Sequence, residues 1–372
     1  MENKKYKIRE GVDLYLIDDD ILSVYFMSSR KNLQFKIGKQ IAGIIELIDG
    51  NRTVKEVVCE YNKKVNMYVN LDIVEKLFKK LEKVNIITEN IIDKMNLLNE
   101  DYLRRYDRQI NFFGDFLIGK YSKYKAMNKL INSNILIFGC GAIGGNIAIQ
   151  LAMSGVEKFI LYDNDIIQES DISRHIYFKE SDIGRSKVTV LKEALIEINS
   201  NITVEIYNEM LVPDSNIEYL LDKASFVVNT ADEPYIGYTS LKISRYCTQI
   251  KKAHFIAGGF DAHLASTGEL IIPGITPCVD CYSNHFKEVL KGWKPSKHPV
   301  IDRYMEIGGL SSMSLFSSSY AVIEIIKYIC ELVDIKNYSN TRGEFLFDTM
   351  KIDYIDVKRD KNCSICGGIS YE

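Results

Sequence analysis

The feature that most constrains the fold is a glycine-rich loop that follows a short apolar run within residues 134–187. An Ala-, Ile- and Leu-rich segment after the loop predicts a helix, and a second apolar run then ends at Asp163, 19 residues after the third glycine. Glycines let the backbone approach phosphate at a helix N-terminus, and the acid can bind ribose hydroxyls. The pattern therefore predicts a nucleotide-binding strand–loop–helix–strand unit. Its G-x-G-x-x-G glycines are Gly139, Gly141 and Gly144.

Apolar strands and helices continue to alternate after this unit, as far as about residue 275. This alternation predicts an α/β fold with a Rossmann-like, doubly wound, mostly parallel sheet. Residues 260–357 instead predict antiparallel strands, a long polar loop over residues 284–308 and one long helix, which would extend the same domain, 134–372. Ligands bind beyond the carboxyl ends of strands in open α/β sheets. Asp232 follows the strand SFVVNT, so we expect it on the same rim as Asp163, unless it only caps the next helix.

The first 92 residues predict a separate small domain. Residues 8–26 predict a hairpin, and three short helices follow. Gly50 is expected to end the first helix, and Thr53 and either Asn70 or Asp72 are expected as N-terminal caps of the next two. A hairpin with three helices is typical of a winged-helix-like α+β domain. Residues 93–133 predict a helical linker that carries the motif R-Y-D-R-Q, which includes Arg108.

Composition and charge exclude several classes of protein. Hydrophobic residues make up 46% of the 372 residues, and the formal net charge is −3 without a polybasic block, so we expect no nucleic-acid partner. No apolar run reaches the roughly 18 residues needed for a membrane span, and the N-terminal residues lack an apolar core of signal-peptide length. We therefore expect no membrane association, a cytoplasmic location, and cysteines that are reduced thiols or metal ligands.

Two C-x-x-C pairs predict a metal site. Paired cysteines at this spacing suit tetrahedral Zn²⁺, and four thiolates leave no open position, so we expect a structural role. The pairs are 82 residues apart, so the metal would tie the chain's end to its middle. The alternative is four unrelated buried cysteines. The predicted ligands are Cys278, Cys281, Cys363 and Cys366.

Three cations lie near the glycine loop or upstream of it in the sequence. Cations that face nucleotide phosphates can stabilise the charge that develops in nucleotidyl transfer. Each one alone could equally be a solvated surface charge. These cations are Arg108, Arg174 and Lys187.

The order of the motifs resembles that of the ThiF/MoeB/ubiquitin-activating-enzyme-like adenylating family. R-Y-D-R-Q, G-C-G-A-I-G-G, D-N-D-I-I-Q-E-S-D-I-S-R-H, I-G-R-S-K, N-T-A-D and two C-x-x-C pairs follow one another over residues 101–367. The A-D-E-P segment, the A-G-G-F-D strand and the N-terminal extension are most similar to the microcin C peptide-adenylating branch. The resemblance implies an adenylyltransferase that joins the C-terminal carboxylate of a peptide or protein to AMP from ATP and releases pyrophosphate.

The resemblance also implies a role for each matching residue. The three loop glycines, Asp163 and Asp165 would form the ATP site, with Asp163 on the ribose. Arg174 and Lys187 would contact phosphates, and Asp232 would help to hold Mg²⁺ and the reacting groups. Arg108 would reach the ATP of the partner subunit in a homodimer, so catalysis would depend on Asp232, Arg174, Lys187 and Arg108.

Two residues depart from the family motif S-N-L-x-R-Q. The chain has Asp171 in place of the asparagine and His175 in place of the glutamine. An ionised carboxylate only accepts hydrogen bonds and repels phosphate, which makes a nucleotide contact by Asp171 doubtful.

Residues 1–92 resemble the PqqD-like domains that recognise precursor peptides, which bind a leader peptide as an added strand. Together the two resemblances favour ATP-dependent adenylation of the C-terminus of a ribosomally made precursor peptide in natural-product maturation. One alternative is an activator of a ubiquitin-like sulfur-carrier protein. Others are a non-catalytic peptide-presenting protein and, from the glycine pattern alone, a dinucleotide-dependent oxidoreductase.

Overall fold

The computed structural model describes residues 2–17, 20–65, 68–90, 98–117, 122–232, 236–261, 263–293, 308–338 and 342–371. The chain forms two compact units, Met1–Asn128 and Lys129–Glu372. The finer division at residues 92 and 133 stays a prediction.

The first unit contains two antiparallel three-stranded sheets, with strand orders β5-β1-β6 and β2-β3-β4. The strands are β1 Lys5–Ile8, β2 Val12–Ile17, β3 Ile21–Phe26, β4 Lys31–Lys36, β5 Asp49–Thr53 and β6 Ile87–Glu89. The helices are α1 Lys39–Ile45, α2 Val54–Val65, α3 Leu71–Lys83 and α4 Glu100–Phe116, and α5, Lys123–Asn132, crosses into the second unit. The predicted hairpin is β2 and β3, and the sequence did not predict β4 as its third strand.

The helix starts in the first unit follow the predicted caps. Thr53 Oγ1 accepts a hydrogen bond from Glu56 N at 3.2 Å, and the Glu56 carboxylate accepts one from Thr53 N at 2.7 Å. This reciprocal pair satisfies two backbone donors at the start of α2. Asn70 Oδ1 accepts from Asp72 N at 3.0 Å and so caps α3. The predicted stop of α1 at Gly50 is wrong, because α1 ends at Ile45 and Gly50 lies in β5 with φ +83°.

The second unit is built on a six-stranded sheet with strand order β14-β11-β10-β7-β8-β9. Five strands are parallel, and only β14 at the edge runs antiparallel to its neighbour. Every residue of β10 and the last four residues of β7 are buried, as a sheet covered on both faces requires. The strands are β7 Asn134–Phe138, β8 Lys158–Tyr162, β9 Thr203–Tyr207, β10 Phe226–Asn229, β11 His254–Ile256 and β14 Glu269–Ile271.

Helices connect these strands, and a second sheet extends the unit. The helices are α6 Gly144–Met153, α7 Glu169–Ile172, α8 Lys187–Ile198, α9 Glu218–Lys223, α10 Ile236–Gln249, α11 Val279–Val289 and α12 Ser311–Ile329. The second sheet is antiparallel, in the order β12-β13-β15-β16. Its strands are β12 Phe260–Asp261, β13 Leu264–Ser266, β15 Gly343–Leu346 and β16 Lys351–Tyr354. The mostly parallel sheet and its antiparallel extension confirm the predicted fold class.

Two further predictions concern membrane-spanning helices and a long polar loop. Within the described part of the chain, every helix is too short or too polar to cross a lipid bilayer. The long polar loop predicted over 284–308 begins instead as helix, because α11 continues to Val289. Residues 294–307 of that segment lie outside the described residues.

Candidate nucleotide site and cysteine cluster

The glycines of the loop between β7 and α6 have different structural roles. Gly139 has φ +82°, and a Cβ there would lie 2.7 Å from Ala231 N. A Cβ at Gly144 would lie only 2.0 Å from Gly139 O, so the loop closes tightly against the start of α6. A Cβ at Gly141 would meet no protein atom within 4 Å. Gly139 and Gly144 therefore shape the loop, while Gly141 leaves open space where a phosphate could approach the backbone.

The residues after β10 hold that strand end against the loop. Thr230 Oγ1 donates to Gly139 O at 2.7 Å, and the fully buried Asn229 accepts from Ala231 N at 3.2 Å. Asp232 follows directly and is exposed. Because parallel strands end on the same rim, this linkage places Asp232 beyond the carboxyl end of a strand adjacent to the nucleotide loop.

Asp163 is fixed by backbone donors at the end of β8. Its carboxylate accepts from Cys140 N at 2.5 Å and from Asp165 N at 2.7 Å. Burial raises the pKa of Asp163, and these amide donors offset only part of that effect. The acid is therefore joined directly to the glycine loop, the position expected for a ribose ligand.

A network of four charged side chains lies beside this acid. Lys187 Nζ donates to Asp165 Oδ2 at 2.9 Å and lies 3.6 Å from Asp171 Oδ2. Arg174 donates through Nη2 to Asp171 Oδ1 at 2.9 Å. Burial acts against the charge of Lys187, but the Asp165 hydrogen bond and the surrounding carboxylates outweigh it, and the pKa of Lys187 is raised. Both predicted phosphate-binding cations thus stand together in one ion-pair network.

The two departures from the family motif are both buried. Asp171 is 1% exposed, so its carboxylate faces its own cations and not solvent. Burial favours the neutral carboxyl, but the Gln168 amide and the two cations outweigh it, and the pKa of Asp171 is lowered. His175 Nδ1 hydrogen-bonds the Asp171 carbonyl oxygen at 2.9 Å, its ring stacks on Phe178 at 4.3 Å, and burial lowers its pKa to about 4.

Sequence reasoning missed three polar residues that support the site. Asn146, fully buried in α6, donates to Ala142 O at 2.7 Å and to Arg174 O at 3.3 Å, and so ties the loop helix to the segment that carries Arg174. Asn229 and Thr230 hold the end of β10 against the glycine loop. For Asn146 and Asn229 the available signal was an amide side chain inside an otherwise apolar element, because a buried amide needs specific partners.

The four predicted cysteine ligands form one buried cluster. Their Sγ atoms all lie within 4.8 Å of one another, with separations of 3.8 Å for Cys278–Cys281, 3.7 Å for Cys278–Cys363 and 3.5 Å for Cys281–Cys366. Tetrahedral zinc with Zn–S bonds of about 2.3 Å places sulfurs about 3.8 Å apart. The residues therefore fit Zn²⁺. The alternative of four unrelated cysteines is wrong.

Arg108 lies on α4 in the first unit, where it is exposed. Its predicted role at a partner subunit's ATP stays a prediction.

The family model for the ThiF family matches residues 106–365. The chain belongs to the ThiF family. Its relatives include the vegetative HesA protein of Trichormus variabilis, 28% identical over 73% of this chain and 91% of the relative. They also include a probable molybdopterin-synthase adenylyltransferase of Porphyra purpurea, 32% identical over 40% of this chain and 38% of the relative.

Solved structures of E. coli MccB share the fold of this ThiF-family chain. The complex of MccB with MccA-N7isoASN has a TM-score of 0.71 at 20% identity, covering 98% of this chain and 99% of MccB. The complex of MccB with ATP has a TM-score of 0.69 at 20% identity over the same shares of both chains. At this identity the likeness shows the fold.

Family membership and the adenylyltransferase relatives confirm that the chain is an enzyme of the adenylyltransferase class. They also support the use of ATP. The oxidoreductase alternative, which rested on the glycine pattern alone, is therefore wrong.

Proposed function

We propose that this chain uses ATP to adenylate the C-terminal carboxylate of a short, ribosomally made precursor peptide in natural-product maturation. The observation that carries the proposal is an open-edged antiparallel sheet in the first unit of a chain whose second unit holds a ThiF-family nucleotide site. E. coli MccB, which has been solved in complex with the peptide MccA, has the same fold over 97–98% of this chain.

The peptide-binding part of the proposal rests on the sheet β2-β3-β4. Its strand order leaves β2 and β4 each with one unpaired edge among the described residues. Five of the six residues of β4 are exposed, and apolar side chains are exposed on both outer strands, including Tyr15 at 55% and Leu33 at 40%. An extended peptide can add to such an edge through main-chain hydrogen bonds, with apolar side chains as further contacts.

The chemical step is a displacement at the α-phosphorus of ATP. A carboxylate oxygen of the peptide forms a bond to that phosphorus as the bond to the bridging oxygen of pyrophosphate breaks, which yields acyl-AMP and pyrophosphate. Arg174 and Lys187 would stabilise the negative charge on the phosphate oxygens. Asp232, an exposed carboxylate on the sheet rim, suits a magnesium ligand, and bound Mg²⁺ would supply further positive charge at the phosphates.

The test is ATP–pyrophosphate exchange with candidate peptides from short neighbouring reading frames. Proline is introduced singly at Leu33 and at Gln34. Because adjacent residues of a strand point their N–H groups in opposite directions, one of the two prolines removes an outward-facing donor and spares the β3–β4 pairing. That variant should raise the peptide KM roughly ten-fold and leave the ATP KM unchanged, because edge binding raises the local concentration of the carboxylate.

The same assay separates the alternatives. If neither proline changes the peptide KM while the peptide is adenylated, the sheet edge is structural. Exchange that depends on a ubiquitin-like protein tail, and not on any short peptide, would identify a sulfur-carrier activator. That outcome has support from the molybdopterin-synthase adenylyltransferase among the relatives.

A further inference from the structure

The two carboxylates beside Lys187 differ in how firmly they are held. Asp165 has a side chain 52% exposed and contacts Lys187 Nζ at 2.9 Å. Asp171 has a side chain 2% exposed and lies 3.6 Å from the same ammonium group. Solvent can replace the contacts of the first carboxylate but not those of the second.

Asp171 is also fixed by its own segment. Its Oδ2 accepts from Gln168 N at 3.0 Å, which closes a capping box at the start of α7. Its Oδ1 accepts from both Nε and Nη2 of Arg174, at 3.3 and 2.9 Å. Two nitrogens of the guanidinium group therefore bind one buried oxygen, while the Arg174 side chain stays 38% exposed. This contact fixes the plane of the guanidinium group.

We infer that Asp171 is a positioning residue that holds Arg174 and Lys187 side by side, whereas Asp165 is an exchangeable partner that Lys187 gives up to the phosphates of ATP. The inference rests on ATP use in the proposed function but not on the identity of the peptide. It predicts that substitutions of these two aspartates, which both face Lys187, have opposite effects on ATP binding. A carboxylate that acted only through its charge would weaken ATP binding at either position.

The exchange follows from the exposure of each group. Lys187 is itself 7% exposed and cannot stay charged without a counter-ion. In the free protein, Asp165 supplies the nearer counter-ion. A phosphate oxygen offers the same charge-assisted hydrogen bond, so ATP can replace Asp165 at the ammonium group while Asp171 keeps the lysine in place.

The test is calorimetric titration of the full chain with Mg·ATP in the absence of peptide. Asp165→Asn removes the competing ion pair at a half-exposed position and should lower the Kd for ATP about two- to five-fold. Asp171→Asn should raise that Kd about ten-fold or more, because both cations lose their fixed orientation. In an Arg174→Ala background, the effect of Asp171→Asn should shrink to about three-fold or less, since most of the orienting contact is already lost.

Asp182 provides a matched control. It is also a buried capping-box acid, accepting from Lys179 N at 3.0 Å and pairing with Arg185 at 2.8 Å three residues later. Arg185 also forms an ion pair with Glu193, 2.7 Å between Nη2 and Oε1, and among the described hydrogen bonds it makes none with Lys187. Asp182→Asn should therefore lower the melting temperature about as much as Asp171→Asn and leave the Kd for ATP unchanged.

The outcomes separate this inference from the proposed function. If the unsubstituted chain does not bind Mg·ATP, the adenylation proposal fails and this inference fails with it. If the chain binds Mg·ATP and both substitutions shift the Kd in the same direction, only the inference on positioning is overturned. If Asp171→Asn does not fold, Asp165→Asn still decides, because weaker ATP binding by that variant would make Asp165 a ligand of the bound nucleotide complex.

Discussion

The glycine loop allows one prediction that distinguishes a glycine needed for the shape of the loop from a glycine needed for ATP binding. Gly141→Ala adds a methyl group where no protein atom lies within 4 Å, and the backbone of Gly141 is outside the left-handed region. The substitution should leave the free energy of unfolding unchanged or raise it by up to about 1 kcal/mol, because alanine restricts the unfolded chain. If the open space is where a phosphate approaches the backbone, the same methyl group must collide with ATP. We expect the Kd for Mg·ATP to rise at least about ten-fold, which corresponds to about 1.4 kcal/mol.

Gly144→Ala is the contrasting change in the same loop. Its Cβ would lie 2.0 Å from Gly139 O and 2.5 Å from Thr230 Oγ1, so backbone atoms would have to move. Overpacking of this kind costs about 1–3 kcal/mol or more, and we expect the second unit to melt several degrees lower. Gly144→Ala should therefore lose both stability and ATP binding.

Thermal melting with and without ATP, combined with calorimetric titration, measures both quantities. Gly141→Ala that binds ATP as tightly as the unsubstituted chain would refute the placement of the phosphates over this loop. Gly141→Ala that melts well below the unsubstituted chain would show that the space is needed by the fold and not by the ligand.

Three further predictions concern the metal, the assembly and the pH dependence. The purified chain should contain about one zinc, and Cys366→Ser should lower the melting temperature more than it changes nucleotide specificity; zinc-free protein with four freely alkylated thiols would contradict this. If the enzyme is a homodimer with composite sites, mixing Arg108→Ala and Asp232→Ala chains should restore part of the activity, and no rescue despite proven subunit exchange would exclude a role for Arg108 across the interface. Burial lowers the pKa of His175 to about 4, so the unfolded chain binds more protons than the folded chain between that pH and about 6.5. The contribution of His175 to the free energy of unfolding is complete above pH 6.5 and is lost as the pH falls towards 4, by about 3 kcal/mol in all. Denaturant titrations should therefore show that the His175→Gln variant loses less stability than the unsubstituted chain over that pH range.

The fold of the second unit could be predicted because its signals are local. Buried parallel strands are continuous apolar runs, and each is followed by a helix with its own periodicity. The first unit was harder. Its strand β4, KNLQFK, is almost entirely exposed, so no apolar alternation marks it, and its pairing with β3 is a tertiary contact. The early end of α1 was missed for a related reason, since Gly50 serves β5 and not the helix.

The candidate site was predictable where residue type alone fixes the chemistry. Paired cysteines and loop glycines carry their function in their spacing, and the structure brings each set together. The role of Asp171 could not be predicted, because the sequence shows a carboxylate next to an arginine but not that both its oxygens are buried. An exposed aspartate at this position would repel ATP, and a buried one organises the cations that attract it. Only burial distinguishes the two, and burial depends on the fold.

The charge balance of the site explains how the chain can carry an aspartate where its family motif has asparagine. Asp165 and Asp171 face Arg174 and Lys187, so the charges of these four side chains balance before any ligand binds. ATP adds further negative charge, and the two cations alone cannot neutralise it. Binding therefore requires that Lys187 release Asp165 towards solvent, that a divalent cation enter with the nucleotide, or both. Each route leaves Asp171 in place, because its charge is already balanced inside the protein.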